Sequence, residues 1–394
     1  MPLLMRAWAN PLILSNTQTV QSTLINLIGV LAALMLWRRI QSFPNSHPIG
    51  AAVWSVFLVF GSVALLLLLS RLEYSRALIF ATAPIALATL TVFSFVLRRN
   101  NSITLGLVPG GRLDNLPNTP LIKWARLNDA DRVPECDAYV ADLRFDHSAD
   151  WEKRIVEFTL QGRPVYHTKQ VNEHLTGRIS IDHLSENSFG SVLPNSGYLA
   201  FKRLADICVV AIIGLPLLVV CAIVALCVLL KDGRPILFTQ NRLGFRGQSF
   251  TMYKFRTMKA VSSVGAGCEP AELTQDGDAR ITALGAMLRK YRFDELPQMW
   301  NVLLGDMSLI GPRPEAEALG LHYEAKFPFY RYRYAVRPGI TGWAQVSQGH
   351  VISDDDVKVK LEYDFYYVKN LSFWLDATTA LKTLRVIFKG HGAR

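Results

Sequence analysis

Residues 202–234 read KRLADICVVAIIGLPLLVVCAIVALCVLLKDGR, and residues 207–230 within them carry no charge. Those 24 residues are long enough, as a helix, to cross the ~30 Å hydrocarbon core of a bilayer. Two features argue against a straight crossing. Gly214 and Pro216 fall near the middle, where a proline removes a backbone hydrogen bond and bends the helix. Both flanks are basic, Lys202 and Arg203 before and Lys231 and Arg234 after, and basic flanks stay on the cytoplasmic side. A helix that enters, breaks at Pro216 and returns keeps both pairs there, if the protein satisfies the backbone freed at the break. The alternative is a full span kinked at the proline.

Outward from this stretch the chain divides in three: 1–100, 101–196 and 197–394. The first part holds apolar segments at about 11–37, 50–70 and 77–97, each long enough to span. No small-residue cleavage site follows the first, so it does not read as a removable signal peptide. Trp37-Arg38-Arg39 and Arg98-Arg99 close the first and third segments. The positive-inside rule places both pairs in the cytoplasm, with the amino terminus and the link at 71–76 outside.

The second part has strand-like runs at 102–108, 121–127 and 138–143, a helix at 150–161 and a further strand at 163–167. That order suits a small Rossmann-like α/β module. Its Pro109-Gly110-Gly111 is not a dinucleotide fingerprint and reads as a glycine turn. Residues 187–197, rich in Ser, Asn, Gly and Pro, read as a linker.

Composition narrows the partners. Half of the 394 residues are hydrophobic, 19% are charged, and the net charge is +10. A basic excess suits nucleic acid, anionic lipid or phosphorylated substrates. No basic run has nucleic-acid motif spacing, which leaves membrane and phosphate. Cys136, Cys208, Cys221, Cys227 and Cys268 form no CxxC pair, and the eight histidines have no metal-ligand spacing.

The third part is dense in motifs. Strands are expected at 236–240 and 250–255 with a turn at 241–244, then a flexible loop at 261–277 and a helix at 281–292. Residues 291–314 read YRFDELPQMWNVLLGDMSLIGPRP. Pro297 suits a first helical turn, which puts Asp294 at or near an N-cap beside the positive end of a helix dipole. Ordinary capping explains such a pair as well. Arginines at turns and element ends suit bidentate grip on phosphate oxygens. Glu295 and Asp306, with Asp294 as a further choice, suit a magnesium ion, and one carboxylate can instead act as nucleophile. FPFYRYRY at 327–334 fits either a membrane interface or a partly buried aromatic element.

These motifs occur in an order that resembles the bacterial sugar transferases, the monotopic polyprenyl-phosphate phosphoglycosyl transferases. The resemblance rests on Lys202-Arg203-x-x-Asp206, Phe238-Thr239-Gln240-Asn241-Arg242, Lys254-Phe255-Arg256-Thr257-Met258 and Asp294-Glu295-Leu296-Pro297-Gln298. It continues through Gly305-Asp306-Met307-Ser308, Pro312-Arg313-Pro314 and Arg337-Pro338-Gly339-Ile340-Thr341-Gly342-Trp343. It covers about residues 197–389. The larger members carry amino-terminal membrane helices, usually four where three are read here, and a Rossmann-like domain.

The resemblance implies a fold and a reaction. The fold is a membrane-associated α/β protein with amino-terminal transmembrane helices, a Rossmann-like module and a monotopic catalytic domain on a re-entrant helix broken at Pro216. The reaction moves a sugar-1-phosphate from a UDP-sugar to undecaprenyl phosphate with release of UMP. The resemblance gives Asp294 the nucleophile's role, through a covalent phosphosugar intermediate, and Glu295 that of magnesium ligand. Lys254, Arg256, Arg289, Arg313 and Arg337 become candidates for binding phosphates or nucleotide. It implies Mg2+ as cofactor, inner-membrane lipid as surroundings, a cytoplasmic catalytic domain, a possible homodimer, no nucleic acid, and a place in exopolysaccharide, capsule or O-antigen synthesis. The sugar is not legible in any single residue.

Overall fold

The computed structural model describes residues 17–41, 48–70, 76–100, 103–113, 116–119, 122–179, 196–259, 280–327, 329–348 and 354–389. The expected loop at 261–277 and most of the expected linker at 187–197 lie outside them. The chain forms two compact units, Met1–Gly177 and Arg178–Arg394.

The first unit opens with three helices, α1 (Thr17–Gln41), α2 (Pro48–Ser70) and α3 (Arg76–Asn100). Among the described residues the stretch Val20–Arg38 is long and apolar enough to cross a membrane, and the apolar parts Ala51–Leu67 and Ala81–Phe93 are shorter. Outward-facing Leu24, Ile28, Met35, Phe57 and Leu66 are exposed, while Ala33, Trp37, Ala51, Ala52 and Phe60 are buried. Two buried polar side chains donate to carbonyls of their own helices. Asn26 Nδ2 donates to the Ser22 carbonyl at 2.8 Å, and Ser55 Oγ donates to the Ala52 carbonyl at 3.0 Å.

Four parallel strands follow, β1 (Ile103–Leu107), β2 (Ile122–Arg126), β3 (Ala138–Ala141) and β4 (Val165–His167), in the order β2-β1-β3-β4. Period-two alternation sends Leu105, Leu107, Ala138 and Val140 to one face, where Val171 of α5 (Thr168–Thr176) packs. Tyr139 and Ala141 face the other way, against Trp151 and Phe158 of α4 (Ala149–Leu160). A parallel sheet with helices against both faces accords with the small α/β module that the order of elements suggested. The glycine turn after β1 packs against its own module. A Cβ on Gly110 would meet Phe145 at 2.5 Å, and one on Gly111 would meet Asp142 at 2.5 Å.

The second unit begins with α6 (Ser196–Asp232), whose stretch Gly197–Asp232 also meets the length and hydropathy of a membrane span. Pro216 lies inside this helix, and the helix continues through it where an interruption was expected. A single proline removes one backbone bond, and helical pairing can resume a turn later. Both arms of α6 pack on the rest of the unit. Val210 joins Met252, Val302 and Met307, while Val224 and Val228 join Phe255 and Leu288. Between the arms Ile212, Leu215, Leu218 and Val219 are exposed.

The hairpin of β5 (Leu237–Leu243) and β6 (Ser249–Phe255) comes next. The expected turn at 241–244 is displaced, because Asn241, Arg242 and Leu243 still pair with Thr251, Phe250 and Ser249. The remaining helices are α7 (Ala283–Lys290), α8 (Gln298–Leu304), α9 (Glu317–Lys326), α10 (Trp343–Ser347), α11 (Asp354–Lys369) and α12 (Phe373–Lys389). β7 (Ser308–Ile310) and β8 (Gly339–Thr341) form a parallel pair, and β8 starts just after Arg337-Pro338.

Candidate active site

The site lies where a 3-10 turn, Phe293–Glu295, meets the start of α8. Pro297 is the N-cap of α8, with helical φ of −61° and no side-chain cap bond, so Asp294 sits three residues ahead of the N-cap position. Arg292 enters the turn in the left-handed region at φ 58°. That bend lets Arg292 face Glu295. Its Nε and Nη2 donate to Oε2 at 3.1 and 2.7 Å.

The other oxygen, Oε1, accepts from Arg313 Nη2 at 2.9 Å and lies 3.7 Å from Lys254 Nζ. Glu295 is 5% exposed. Burial alone would raise its pKa, but Arg313, Arg292 and Lys254 outweigh it and draw the group down to about 2. Lys254 is pushed the other way, to about 7, by burial and then by Arg313. Asp294 is 9% exposed, and its carboxylate makes no hydrogen bond or ion pair with a described residue. Burial first and the Glu295 charge second raise its pKa, against weaker pulls from Lys254, Arg292 and Arg313.

Each basic group is held from behind. Lys254 lies on β6, which Asn301 of α8 grips from both sides, donating to the Thr251 carbonyl at 2.7 Å and accepting from Tyr253 N at 3.2 Å. Arg313 sits in a turn pinned at two carbonyls. Arg333 Nη2 donates to the Arg313 carbonyl at 2.8 Å, and Arg242 donates to that of Pro314. Glu315, just beyond, pairs with Lys360 and lies 3.6 Å from Arg333. Arg333 is 3% exposed and pairs with Asp364 at 2.8 Å. FPFYRYRY is therefore the buried alternative at Tyr330, Arg333 and Tyr334, with Arg331 outward.

The structure does not gather all the expected residues. Asp294, Glu295, Lys254 and Arg313 converge. Arg289 Nε donates to Thr257 Oγ1 at 2.9 Å, two residues beyond the end of β6. Arg256 is committed to the end of α6, where it donates to the carbonyls of Asp232, Gly233 and Arg234. Asp306 and Arg337 lie at the opposite end of α8 from Glu295. Asp306 accepts from Asn301 Nδ2 at 3.3 Å, and Arg337 Nε donates to the Gly305 carbonyl at 2.9 Å. Arg292 was not among the expected site residues. Its position three before Glu295 is the one sequence signal that points to it.

No cluster of three or more metal-ligating side chains occurs among the described residues. Magnesium needs no such cage, since it binds through one or two carboxylates plus substrate phosphates. Both oxygens of Glu295 already accept from Arg292 and Arg313, so a magnesium ion there would share the carboxylate with them, whereas Glu295 and Asp306 lie at opposite ends of α8.

The profile described as "Bacterial sugar transferase" matches residues 197–390, the unit that holds this site. Over 93% of the chain, and 86% of the relative, the sequence is 42% identical to the UDP-N-acetylgalactosamine-undecaprenyl-phosphate N-acetylgalactosaminephosphotransferase of Aeromonas hydrophila. The chain belongs to the bacterial sugar transferase family. Two further relatives are named UDP-glucose:undecaprenyl-phosphate glucose-1-phosphate transferase. That of Xanthomonas campestris pv. campestris is 38% identical over 48% of this chain and 38% of its own length. That of Escherichia coli (strain K12) is 37% identical over 48% of this chain and 40% of its own. The sugar transferase family is one of enzymes, and the matched span includes the carboxylate pair and the cations around it.

Proposed function

We propose that this sugar transferase moves a sugar-1-phosphate from a UDP-sugar to undecaprenyl phosphate through a phosphoryl group held on Asp294. The observation that carries the reading is the contrast between adjacent carboxylates. Glu295 is clamped by three cations and held ionised, while Asp294 beside it is unclaimed. Two neighbouring acids driven apart in pKa are the usual mark of two different roles.

An Asp294 oxygen attacks the sugar-linked phosphorus, the bond from that phosphorus to the bridging oxygen breaks, and UMP leaves with the electron pair. A phosphate oxygen of undecaprenyl phosphate then attacks the same phosphorus. The carboxylate is released and a diphosphate-linked sugar forms. Carboxylate attack on a charged diphosphate needs its repulsion cancelled, and Lys254, Arg292 and Arg313 lie where that charge would gather. Mg2+ held by Glu295 and the donor phosphates would add Lewis-acid neutralisation.

The membrane reading rests on α6. A straight crossing would part Lys202 from Asp232 by about 45 Å, at 1.5 Å per residue. Yet Lys202 pairs with Asp376 at 2.6 Å, and Asp232 accepts from Thr282 at 3.0 Å, both within one polar unit. This favours a helix that enters and leaves on the cytoplasmic face of the inner membrane.

The test is a panel of UDP-sugars with undecaprenyl phosphate and magnesium, scored by nucleotide product. UDP-N-acetylgalactosamine comes first, because the relative similar along nearly the whole chain carries that sugar in its name. UMP with labelled protein at position 294 supports the proposal. UDP as product means transfer of the sugar alone and sinks it.

A further inference from the structure

We propose that Arg203, Arg246 and Arg337 form a second anion site, separate from the carboxylate pair, that takes the phosphate of a membrane lipid. The three guanidinium groups meet at the C-terminal end of α8. Arg203 donates to the carbonyls of Val302 and Leu303, the latter at 2.9 Å. Arg337 donates through Nε to the Gly305 carbonyl at 2.9 Å. Arg337 and Arg246 both lie over the ring of Phe245, with Cζ 5.1 and 5.0 Å from its centroid. The field of Arg203 and that of Arg246 both act on Arg337.

Helix capping accounts for part of this cluster. Cations at a helix C-terminus are favourable, and Arg203 satisfies two carbonyls there. It does not account for Arg246, which makes no hydrogen bond to a carbonyl among the described residues and holds a left-handed backbone, φ 59° and ψ 21°, that a glycine would adopt more easily. None of the three has a carboxylate in ion-pair contact among the described residues. The nearest acid acting on Arg337, Asp206, is buried and already bonded to Ser308 Oγ at 2.7 Å. Three like charges are thus brought together with no carboxylate in ion-pair contact among the described residues, which suits a multivalent anion.

The surroundings choose the anion. Arg203 stands four residues before the uncharged stretch of α6. Leu204 and Ile207 on α6, and Trp300, Leu303 and Leu304 on α8, are exposed beside it. A polar cluster rimmed by outward apolar side chains matches a headgroup with its chains in hydrocarbon, and arginine is suited to that boundary. The seven residues of α8, about 10 Å long, separate this place from Glu295. A phosphate bound here is held near the reacting group without touching it. The inference rests on the membrane reading of α6.

The experiment uses the full-length protein in detergent, stripped of lipid and titrated with dioleoylphosphatidylglycerol or dioleoylphosphatidylcholine, with bound lipid counted by native mass spectrometry. Arg246→Asn tolerates the left-handed backbone, and Arg246→Glu reverses the charge. The wild type should retain the glycerol lipid several-fold better than the choline lipid, Arg246→Asn should lose most of that preference, and Arg246→Glu all of it. Displacement by equimolar undecaprenyl phosphate assigns the site to the prenyl acceptor, and its absence assigns it to bilayer phospholipid. Equal retention of both lipids, or retention unchanged in both variants, overturns the proposal, as does displacement by inorganic phosphate alone at the same concentration. UMP release, measured in parallel, reports on the transferase reading independently of lipid retention.

Discussion

Arg313 Nη2 lies 2.9 Å from Glu295 Oε1, and the backbone of the same arginine is fixed from behind by Arg333. The pair is an anchored clamp, because each side is held by groups that do not belong to it. Arg292 and Lys254 share the Glu295 charge. Arg313→Ala should therefore destabilise the protein by no more than about 3 kcal/mol, the low end for removing one partner of a buried pair, since two cations remain. Donor binding should weaken far more than stability. Thermal unfolding in detergent and the KM for the UDP-sugar check the two effects separately.

Asp294→Asn and Glu295→Gln should move stability in opposite directions. Asp294 has its pKa raised in the folded protein, mainly by burial. A raised carboxylate contributes stability when protonated, and that contribution is lost as pH rises through the folded value. At neutral pH its charge opposes folding, so Asp294→Asn should raise the unfolding temperature while abolishing UMP release. Glu295 is drawn down to about 2, so its ionised form supports folding and that support is lost only in strong acid. Glu295→Gln should lower the unfolding temperature. A stabilised Glu295→Gln would contradict the clamp.

The same contrast explains what could be read before the fold was known. Asp294, Glu295, Lys254 and Arg313 lie on three separate motifs and still converge, because each motif places its residue at the end of an element facing α8. Asp306 and Arg337 also lie in motifs, but α8 intervenes, and nothing in the local sequence says which end of a short helix a neighbour will face. Arg256 carried the right chemistry, yet the carbonyls at the end of α6 claim it. Arg292 was hidden because its role depends on a positive φ at a non-glycine residue. The strands of the first unit were legible as short alternating or apolar runs, whereas α5 escaped, since its nine residues are too short for a clear helical period.

Lys254 gives the pH dependence its basic limb. Its pKa is lowered to about 7, by burial and then by Arg313, so the free enzyme loses this charge as pH rises through neutrality. The profile of kcat/KM for the UDP-sugar reports groups of the free enzyme, and it should fall above about pH 7. Stability should move the other way. Above the folded value the unfolded chain holds the extra proton, so rising pH favours the folded state until the ordinary lysine value is reached. Lys254→Arg should keep its charge and remove the basic limb. A limb unchanged in that variant would assign it to another group.

Asp364 ties this chemistry to a helix far along the chain. It lies on α11, is 1% exposed, and holds Arg333 at 2.8 Å, while Arg333 bonds the Arg313 carbonyl at 2.8 Å and Tyr330 Oη at 2.6 Å. Removing the carboxylate with Asp364→Ala leaves the buried guanidinium with Glu315, at 3.6 Å, as its one remaining ion-pair partner among the described residues. The expected loss is about 3–5 kcal/mol, the range for breaking a buried pair from one side. Asp364→Asn keeps an acceptor for Arg333 and should lose less, about 1–3 kcal/mol. The two roles of Asp364 separate in the milder variant. If it only holds the core, Asp364→Asn should leave the donor KM unchanged once the protein is folded. If it sets the Pro312-Arg313-Pro314 turn through Arg333, the donor KM should rise in the folded variant while labelling of Asp294 at saturating donor persists. The geometry favours the second result, because the Arg333 fork reaches Asp364 and the Arg313 carbonyl through the same Nη2.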